Sequence, residues 1–184
     1  MERVPREKVT ILTKTNSKTK EGVKAVLDRF RKELGTDYID IVLLHAVSNP
    51  DWPRTHKGGM EALTEARESG LIKAHGTSCH SIAALRAAAD EPWVMVDLAR
   101  FNPAGARMDD NVPTVTEVLK QMKANGKAIV AMKVYGAGRL VDKKNEALRF
   151  QAQNTFIDAF TLGIQSYEQL KDIQRRFPRV SANI

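Results

Sequence analysis

The stretch Gly35-Thr-Asp-Tyr-Ile-Asp-Ile-Val-Leu-Leu-His45 decides the fold prediction, because it is the clearest buried strand in the chain. Apolar residues occupy both faces of its period-two pattern, as in a parallel strand covered by helices. Leu43 and His45 share one of these faces. Ligands of parallel α/β folds lie at the carboxyl ends of the strands, so the terminal histidine is a candidate for chemistry. Taken alone, it fits a hydrogen-bonded histidine at a strand end better than a catalytic one.

Similar signals recur along the chain and predict six strands that alternate with helices. Gly35, Gly70 and Gly126 each end a predicted helix just before a strand. Thr114-Val-Thr-Glu117 and Ser166-Tyr-Glu-Gln169 have the form of a capping box, which predicts a helix start. The predicted strands cover residues 8–15, 38–45, 71–78, 93–102, 127–134 and 156–163, and the predicted helices cover residues 20–34, about 59–69, 81–90, 114–125, 146–153 and a last segment that opens at Ser166.

This alternation predicts a parallel sheet with right-handed crossovers. Two architectures fit the pattern. One is an open, doubly wound sheet, for which 184 residues are ample. The other is part of an eight-stranded barrel, which typically takes about 250 residues. Periodicity leaves both open.

Composition favours a single domain over residues 1–184, because 42% of the residues are hydrophobic and one sizeable core can form. The one cysteine, Cys79, excludes an internal disulfide and a cysteine-rich metal centre, so we expect no metal and a reducing, cytoplasmic location. The charged N-terminus is not followed by the apolar core of a signal peptide. Nowhere do about 18 apolar residues run together, so no membrane span is predicted.

The formal charge of +7 raises the question of nucleic-acid binding. Basic residues are nevertheless spread over nearly every predicted helix with acidic residues between them, a pattern typical of solvated helix faces. No recognition motif or series of stacked aromatic residues accompanies the charge. We therefore expect no nucleic-acid partner, and a smaller anionic ligand remains open.

Six segments, in order, resemble the aldo/keto reductases, and within that family their sequences are most similar to those of bacterial oxidoreductases. The resemblance implies a TIM-type (β/α)8 barrel, here with six of its eight strand–helix units, NADPH as hydride donor, and small aldehyde or ketone substrates. The segments are Ile11-Leu-Thr-Lys-Thr15, the strand ending in His45, Gly70–Ser78, Arg100-Phe-Asn102, Ile129–Gly138 and Gly163–Leu170, which resemble family strands three to seven and the cofactor loop after strand eight.

The resemblance assigns catalytic roles to Lys14 and His45. Carbonyl reduction needs a hydride at carbon and a proton at oxygen. In the family a tyrosine is the acid, a lysine matching Lys14 lowers the pKa of that tyrosine, and a histidine matching His45 hydrogen-bonds the substrate oxygen. Both residues occupy inward-facing positions of the period-two pattern on neighbouring strands, so we expect their side chains to lie close together. The alternative is a surface lysine and an ordinary strand-end histidine.

One departure from the family concerns the acid itself. The family's tyrosine lies upstream of the lysine strand, and only thirteen residues precede Lys14, so the chain is expected to lack the first two strand–helix units. Tyr38 lies at the wrong end of its strand, and Tyr135 is a weak substitute at the correct end. Losing a positioned acid costs about 10²–10⁴ in rate, so we expect a poor reductase or, alternatively, a non-catalytic nucleotide- or protein-binding scaffold.

The resemblance also supplies cofactor-binding candidates. Gln169 stands where many members carry an arginine for the adenosine 2′-phosphate, so NADPH is only mildly favoured and NADH stays open. The candidates are Ser78 and Asn102 for the nicotinamide amide, Met132 for the nicotinamide ring, Gly136, Gly138 and Arg139 for the pyrophosphate, and Gly163, Ser166 and Gln169 at the start of the last helix for phosphate.

Six strands leave two sheet edges, at residues 8–15 and 156–163, and unpaired edges attract other strands. We therefore expect self-association, which a monodisperse monomer in light scattering would contradict.

Overall fold

The computed structural model describes residues 4–182, which form two compact units that divide between Asp97 and Leu98. Strands and helices alternate as predicted, and no helix among these residues is long and apolar enough to cross a membrane. The strands are β1 Leu12–Thr15, β2 Ile39–Val47, β3 Ile72–Cys79, β4 Val96–Arg100, β5 Ala128–Met132 and β6 Ala159–Phe160. The helices are α1 Lys20–Leu34, α2 Trp52–Thr55, α3 Lys57–Glu68, α4 Ile82–Asp90, α5 Val112–Ala124, α6 Lys144–Gln153 and α7 Tyr167–Ser181.

The strands lie in one sheet in the order β1-β2-β3-β4-β5-β6. The pairs β1–β2, β2–β3, β3–β4 and β5–β6 are parallel. A doubly wound sheet reverses its strand order at a switch point, whereas this order continues in one direction, as in a (β/α) barrel. The doubly wound alternative is therefore wrong, and the prediction of a partial TIM-type barrel is confirmed.

Strand β2 is the centre of the first unit. Ile41 aligns with Leu12 of β1 and with Ala74 of β3, so β2 pairs on both sides. Helix α3 packs against α1 and β3, and its Gly59 lies against the Leu44 side chain of β2. The helix α1 stops as predicted at Gly35, whose backbone is left-handed (φ 60°) and whose N–H bonds the carbonyl of Lys32.

Gly76 is required where β3 meets β4. It aligns with Val96, and a Cβ atom at this position would lie 1.8 Å from the carbonyl oxygen of Val96. Any side chain would therefore push the two strands apart.

Two tryptophans anchor the loop between β2 and α3. The side chain of Trp52, on the short helix α2, is fully buried, and its ring lies 6.3 Å from that of Trp93. The imidazole of His75 stacks on Trp93 with ring centroids 4.3 Å apart. Burial lowers the pKa of His75 to about 4, so this stack stays uncharged at neutral pH.

The second unit has its own core, in which α6 and α7 cover the residues that follow β5. The rings of Phe160 and Phe177 meet edge to face at 5.0 Å beside this core. The buried members of the core are Val134, Leu140, Ala147, Leu148 and Val180.

Several predicted boundaries are wrong. Helix α5 begins at Val112 and not at Thr114, because Asn111 is the cap and its Oδ1 accepts a hydrogen bond of 2.9 Å from the Thr114 N–H. Strand β1 starts only at Leu12, because residues 6–8 form a single 3-10 turn. Strand β6 shrinks to two residues, since Asp158 turns its carboxylate to the Ile129 N–H at 2.8 Å.

Asp40 organises the amino end of β2. Its carboxylate accepts hydrogen bonds from the Ile11 N–H (2.9 Å) and from Arg6 (2.7 Å), and it pairs with Lys73 at 2.8 Å. Burial opposes ionisation, but these donors outweigh it and lower the pKa of Asp40 to about 2. Tyr38 lies between the same two cations, with Arg6 at 4.0 Å and Lys73 at 4.5 Å from its ring centre.

We predict that Asp40→Asn lowers the free energy of unfolding by about 2 kcal/mol at pH 7, because the charged acceptor of three donors is lost. A carboxyl with a depressed folded-state pKa stabilises above its unfolded pKa of about 3.9. The difference between wild type and variant should therefore persist above pH 4 and shrink as the pH falls toward about 2. Urea unfolding between pH 2 and pH 7 measures it. Asp37→Asn, at an exposed position nearby, is the control, and an equal loss there would refute the assignment.

Candidate active site

Lys14 and His45 lie together in the first unit. Lys14 is opposite Leu43 in the β1–β2 register, so it shares a face with His45 two residues further along. Both side chains are partly buried. Burial, and then the positive charge of Lys14, lower the pKa of His45, which keeps the imidazole neutral at pH 7. The structure thus brings together the two catalytic candidates of the sequence.

His45 does not end its strand, in contrast to the prediction. Strand β2 continues to Val47, and its register against β3 shifts between Leu44 and Val47. Ala46 occupies the left-handed region at φ 54°, which is unusual for a residue with a side chain. Bulges of this kind redirect side chains and are common beside active sites. The register shift and the left-handed Ala46 thus lie directly beside His45 in the chain.

Two further residues flank His45 and were missed in the sequence. The Oδ1 atom of Asn16 lies 2.9 Å from the His45 Nδ1 atom, and the His80 ring meets the His45 ring edge to face at 5.8 Å. Asn16 is two residues beyond Lys14, and His80 is two residues beyond Ser78. The family resemblance selected Lys14 and Ser78, and period-two spacing from these two residues would have pointed to both.

Ser78 is fully buried on β3, and its hydroxyl has no hydrogen-bond partner among the residues described. A buried hydroxyl without a partner is costly, so Ser78 suits a ligand group that can bond to it. Cys79 faces the other side of β3, where its thiol lies 3.6 Å from a carboxylate oxygen of Asp97.

In the second unit, Asn102 is occupied by its own loop. Its Nδ2 donates to the Ala106 carbonyl (2.9 Å), and its Oδ1 accepts from the Ala106 N–H (3.1 Å). One N–H and one lone pair of the amide remain for a ligand. Met132 is the last residue of β5, and its side chain is largely buried.

The glycine pair after β5 forms a 3-10 turn. Gly136 is buried (φ 57°), and a Cβ there would lie 3.1 Å from that of Ala106, so packing accounts for it. Gly138 has φ 98° and open space where a Cβ would be, which leaves its backbone accessible to a ligand. Arg139 is exposed and makes no ion pair within residues 4–182.

A cavity of about 410 Å³ opens beside this turn, between α6 and the start of α7. The Asp172 carboxylate lines this cavity and is paired with cations, because Arg175 and Arg176 donate hydrogen bonds to it and the Lys144 ammonium lies 3.5 Å away. These bonds to Arg176 and Arg175 depress the pKa of Asp172. The lining includes Tyr135, Lys144, Gly163, Gln169, Asp172 and Ile173, so two of the predicted cofactor residues belong to it.

Ser166 caps α7, and its hydroxyl accepts from the Gln169 N–H at 3.2 Å. The Gln169 side chain in turn accepts a hydrogen bond from the Gln165 N–H at 2.8 Å. This differs from the predicted capping box only in the donor, which is one residue before the cap Ser166. Glu168 also lies in the first turn, where hydrogen bonds to its own N–H and then to Ser166 lower its pKa. A ligand phosphate at this helix start would therefore meet a carboxylate.

Tyr38 and Tyr135, the two tyrosines considered as substitutes for the family's acid, each pack against residues of their own unit. Tyr38 lies at the amino end of β2, between Arg6 and Lys73. Tyr135 lines the cavity of the second unit, and its hydroxyl has no hydrogen-bond partner in the described part of the chain. Burial and then the Asp172 charge raise the pKa of Tyr135, which makes it a weaker acid.

The sequence model of the aldo/keto reductase family matches residues 1–182. The chain belongs to the aldo/keto reductase family. Aldo/keto reductases are also its structural neighbours, and their fold agrees with the sheet order found in the structure. The family resemblance inferred from the sequence is thereby confirmed.

Among curated proteins, the chain is similar to a D-threo-aldose 1-dehydrogenase of a Pseudomonas species, with 30% identity over 126 residues. This match covers 68% of the chain but only 37% of the dehydrogenase. A solved structure from Pseudomonas aeruginosa, assigned to the aldo-keto reductases, matches at a TM-score of 0.79 and 19% identity, over 95% of this chain and 68% of that one. The aldo-keto reductase AKR11C1 from Bacillus halodurans, in its holo form, matches at 0.76 and 16% identity, over 94% and 67%.

We predict that Ala46→Gly raises the free energy of unfolding by about 0.5 kcal/mol, because glycine adopts the left-handed backbone without strain. Ala83→Gly, on the exposed side of α4, should instead lower it by about 0.5–1 kcal/mol. Urea unfolding compares the two variants. A loss of stability in both would show that Ala46 is not strained.

Proposed function

We propose that this aldo/keto reductase family member is a nicotinamide-nucleotide-dependent oxidoreductase of small carbonyl compounds and their alcohols. The observation that carries the proposal is the adjacency of Lys14 and His45, a cation and a neutral imidazole held on one face of neighbouring strands. A neutral imidazole can exchange a hydrogen bond or a proton with a substrate oxygen. The name of the aldose dehydrogenase relative supports this reaction class.

The chain's residues fit a nicotinamide nucleotide, which supplies the hydride when it is bound. In the first unit, the buried Ser78 hydroxyl lacks a partner among residues 4–182 and suits the carboxamide. In the second unit, the cavity beside Gly163 and Gln169 has the size and polarity for the adenosine end of the nucleotide. The open backbone at Gly138 allows the close approach that a pyrophosphate needs.

The proposed nucleotide is NADPH, with NADH as the alternative. A 2′-phosphate needs a cation, whereas a ribose 2′-hydroxyl is met by a carboxylate or an amide. Lys144 is the cation among the residues that line the cavity, and Asp172 and Gln169 are the groups that suit a hydroxyl. Because Asp172 lies 3.5 Å from the Lys144 ammonium, we expect only modest discrimination between the two nucleotides.

We expect slow turnover from this chain. Tyr38 is held at the amino end of β2, the end away from His45. Burial and the Asp172 charge raise the pKa of Tyr135, which makes its hydroxyl a weaker acid. A missing general acid costs about 10²–10⁴ in rate.

We predict that NADPH binds weakly, with a dissociation constant in roughly the micromolar to millimolar range. Lys144→Gln should weaken NADPH binding by roughly threefold and NADH binding less, because only NADPH carries the third phosphate. Titration of the nucleotide's fluorescence measures both. Lys143→Gln is the control, since this neighbouring lysine is exposed and does not line the cavity. A folded protein that binds neither nucleotide would refute the proposal.

We also predict slow but measurable reduction of 4-nitrobenzaldehyde with NADPH, which His45→Ala abolishes because the group that meets the substrate oxygen is removed. His56→Ala, also in the first unit, is the control. The competing function is a non-catalytic scaffold that retained the barrel fold. Turnover that depends on His45 excludes the scaffold, and nucleotide binding without any turnover supports it.

A further inference from the structure

We propose that the second unit carries an anion-binding site between α6 and α7, at which Arg175, Arg176 and Arg179 bind the phosphate group of a small molecule. The excess of basic residues in the sequence is compatible with a small anionic ligand, and these three arginines give it a place. The site does not rest on the proposed function. The family resemblance gives none of the three arginines a role.

The three arginines line a cavity of about 150 Å³. Asn145, from the first turn of α6, and Val180 complete its lining, so no carboxylate is among the described residues that form it. Pockets for drug-sized ligands take about 300–1,000 Å³. The cavity therefore suits a single tetrahedral anion and not a whole nucleotide.

Arg176 is held in place before any ligand binds. Its Nε atom donates to the Asp172 carboxylate at 2.7 Å, and its Nη1 atom donates to the Asn145 Oδ1 atom at 3.1 Å. Because a guanidinium is planar and rigid, bonds at two of its nitrogens fix the directions of its other N–H groups. Little further ordering of the side chain is then needed to meet the oxygens of a phosphate.

The contact with Arg176 also determines the orientation of the Asn145 amide. An arginine has N–H donors and no acceptor, so the amide atom that faces it must be the oxygen. The Nδ2 group of Asn145 then remains as a donor at the other corner of the amide. Every polar side chain at the cavity thus offers N–H groups, and phosphate oxygens are the acceptors that match them.

Positive charge exceeds negative charge beside this cavity. The Asp172 carboxylate pairs with Arg175 at 2.9 Å, with Arg176 at 2.7 Å and with Lys144 at 3.5 Å. Hydrogen bonds from Arg176 and then from Arg175 lower the pKa of Asp172, so it stays ionised at neutral pH. A single carboxylate cannot neutralise all of these cations, so the cluster attracts an anion.

The arginine site is separate from the cavity proposed for the nucleotide, because the two cavities share no lining residue. Ser166 caps α7 and Gln169 lies in its first turn, where the Glu168 carboxylate would oppose a phosphate. Arg175 and Arg179 lie in the second half of the same helix. A phosphate is therefore better placed at the arginines than at the start of α7.

The test uses the full chain, with inorganic phosphate as the probe in a chloride buffer of constant ionic strength, and follows the arginine Nε–H resonances in ¹H–¹⁵N spectra. We expect the resonances of Arg175, Arg176 and Arg179 to shift saturably with phosphate and not with chloride. Arg176→Gln and Arg179→Gln should each weaken phosphate binding roughly tenfold, the loss of about one charge-assisted hydrogen bond. Arg179→Gln leaves the Asp172 pairs intact, so its result stands even if Arg176→Gln fails to fold.

Arg86→Gln is the control, because Arg86 is an exposed arginine of α4 in the first unit and its loss changes the net charge equally. Phosphate binding by this variant should equal that of the wild type. A folded protein whose arginine resonances show no saturable shift with phosphate overturns the proposal. Equal weakening by Arg86→Gln and Arg179→Gln also overturns it, since the effect would then be one of net charge alone.

Phenyl phosphate and vesicles that contain phosphatidic acid separate the two possible sources of the phosphate group. We expect phenyl phosphate to shift the same three resonances, and we expect the protein not to sediment with the vesicles. Sedimentation that Arg179→Gln abolishes, without binding of phenyl phosphate, overturns the assignment to a small molecule. Phosphate binding is measured without nucleotide, so a chain that binds no NADPH defeats the proposed function and leaves this result standing.

Discussion

Backbone pairing of β2 with a strand on each side is the constraint on which the first unit depends. Ile41 aligns with Leu12 on one side and with Ala74 on the other, so the side chains of three strands are held in fixed rows. Both faces of β2 must then be apolar, which the sequence provides. The next pairing, of β3 with β4, tolerates no side chain at Gly76. The rows determine which residues at the strand ends can meet.

The polar cluster at those ends arises where this regular pairing breaks. Up to Leu44, β2 is in register with β3, and the register then shifts between Leu44 and Val47, the stretch that contains His45. The His45 ring lies between Asn16 and His80, with the charge of Lys14 nearby. At the opposite end of β2, contacts with three donors hold the Asp40 carboxylate in place. Strand β2 thus has an amino end at which Asp40 is fixed by its partners, and an irregular carboxyl end that carries the candidate residue His45.

The sequence predicted most of this fold and only part of the site. Helical spacing and Gly35 defined α1, and period-two parity placed Lys14 and His45 on one face, because these signals are local. The start of α5 was missed although Pro113 marks it, since proline is tolerated only in the first helical turn. The left-handed backbone of Ala46 could not be foreseen, because tertiary pairing imposes it on a residue that does not favour it. The Asn16–His45 bond joins residues 29 positions apart, so it follows from strand pairing and not from a local signal.

The positions of the two tryptophans have a spectroscopic consequence. Both Trp52 and Trp93, the only tryptophans of the chain, belong to the first unit, whereas Tyr135 and Tyr167 belong to the second. The rings that contact these indoles, His56 and His75, also belong to the first unit, so tryptophan emission reports directly on residues 4–97. The neutral His75 stacked on Trp93 adds no charge change near neutral pH. Loss of order confined to residues 98–182 would leave these ring contacts of both indoles in place and would be visible in the signals of Tyr135 and Tyr167 and in the far ultraviolet. Tryptophan emission thus monitors the first unit, whereas far-ultraviolet circular dichroism includes the helices and strands of both units.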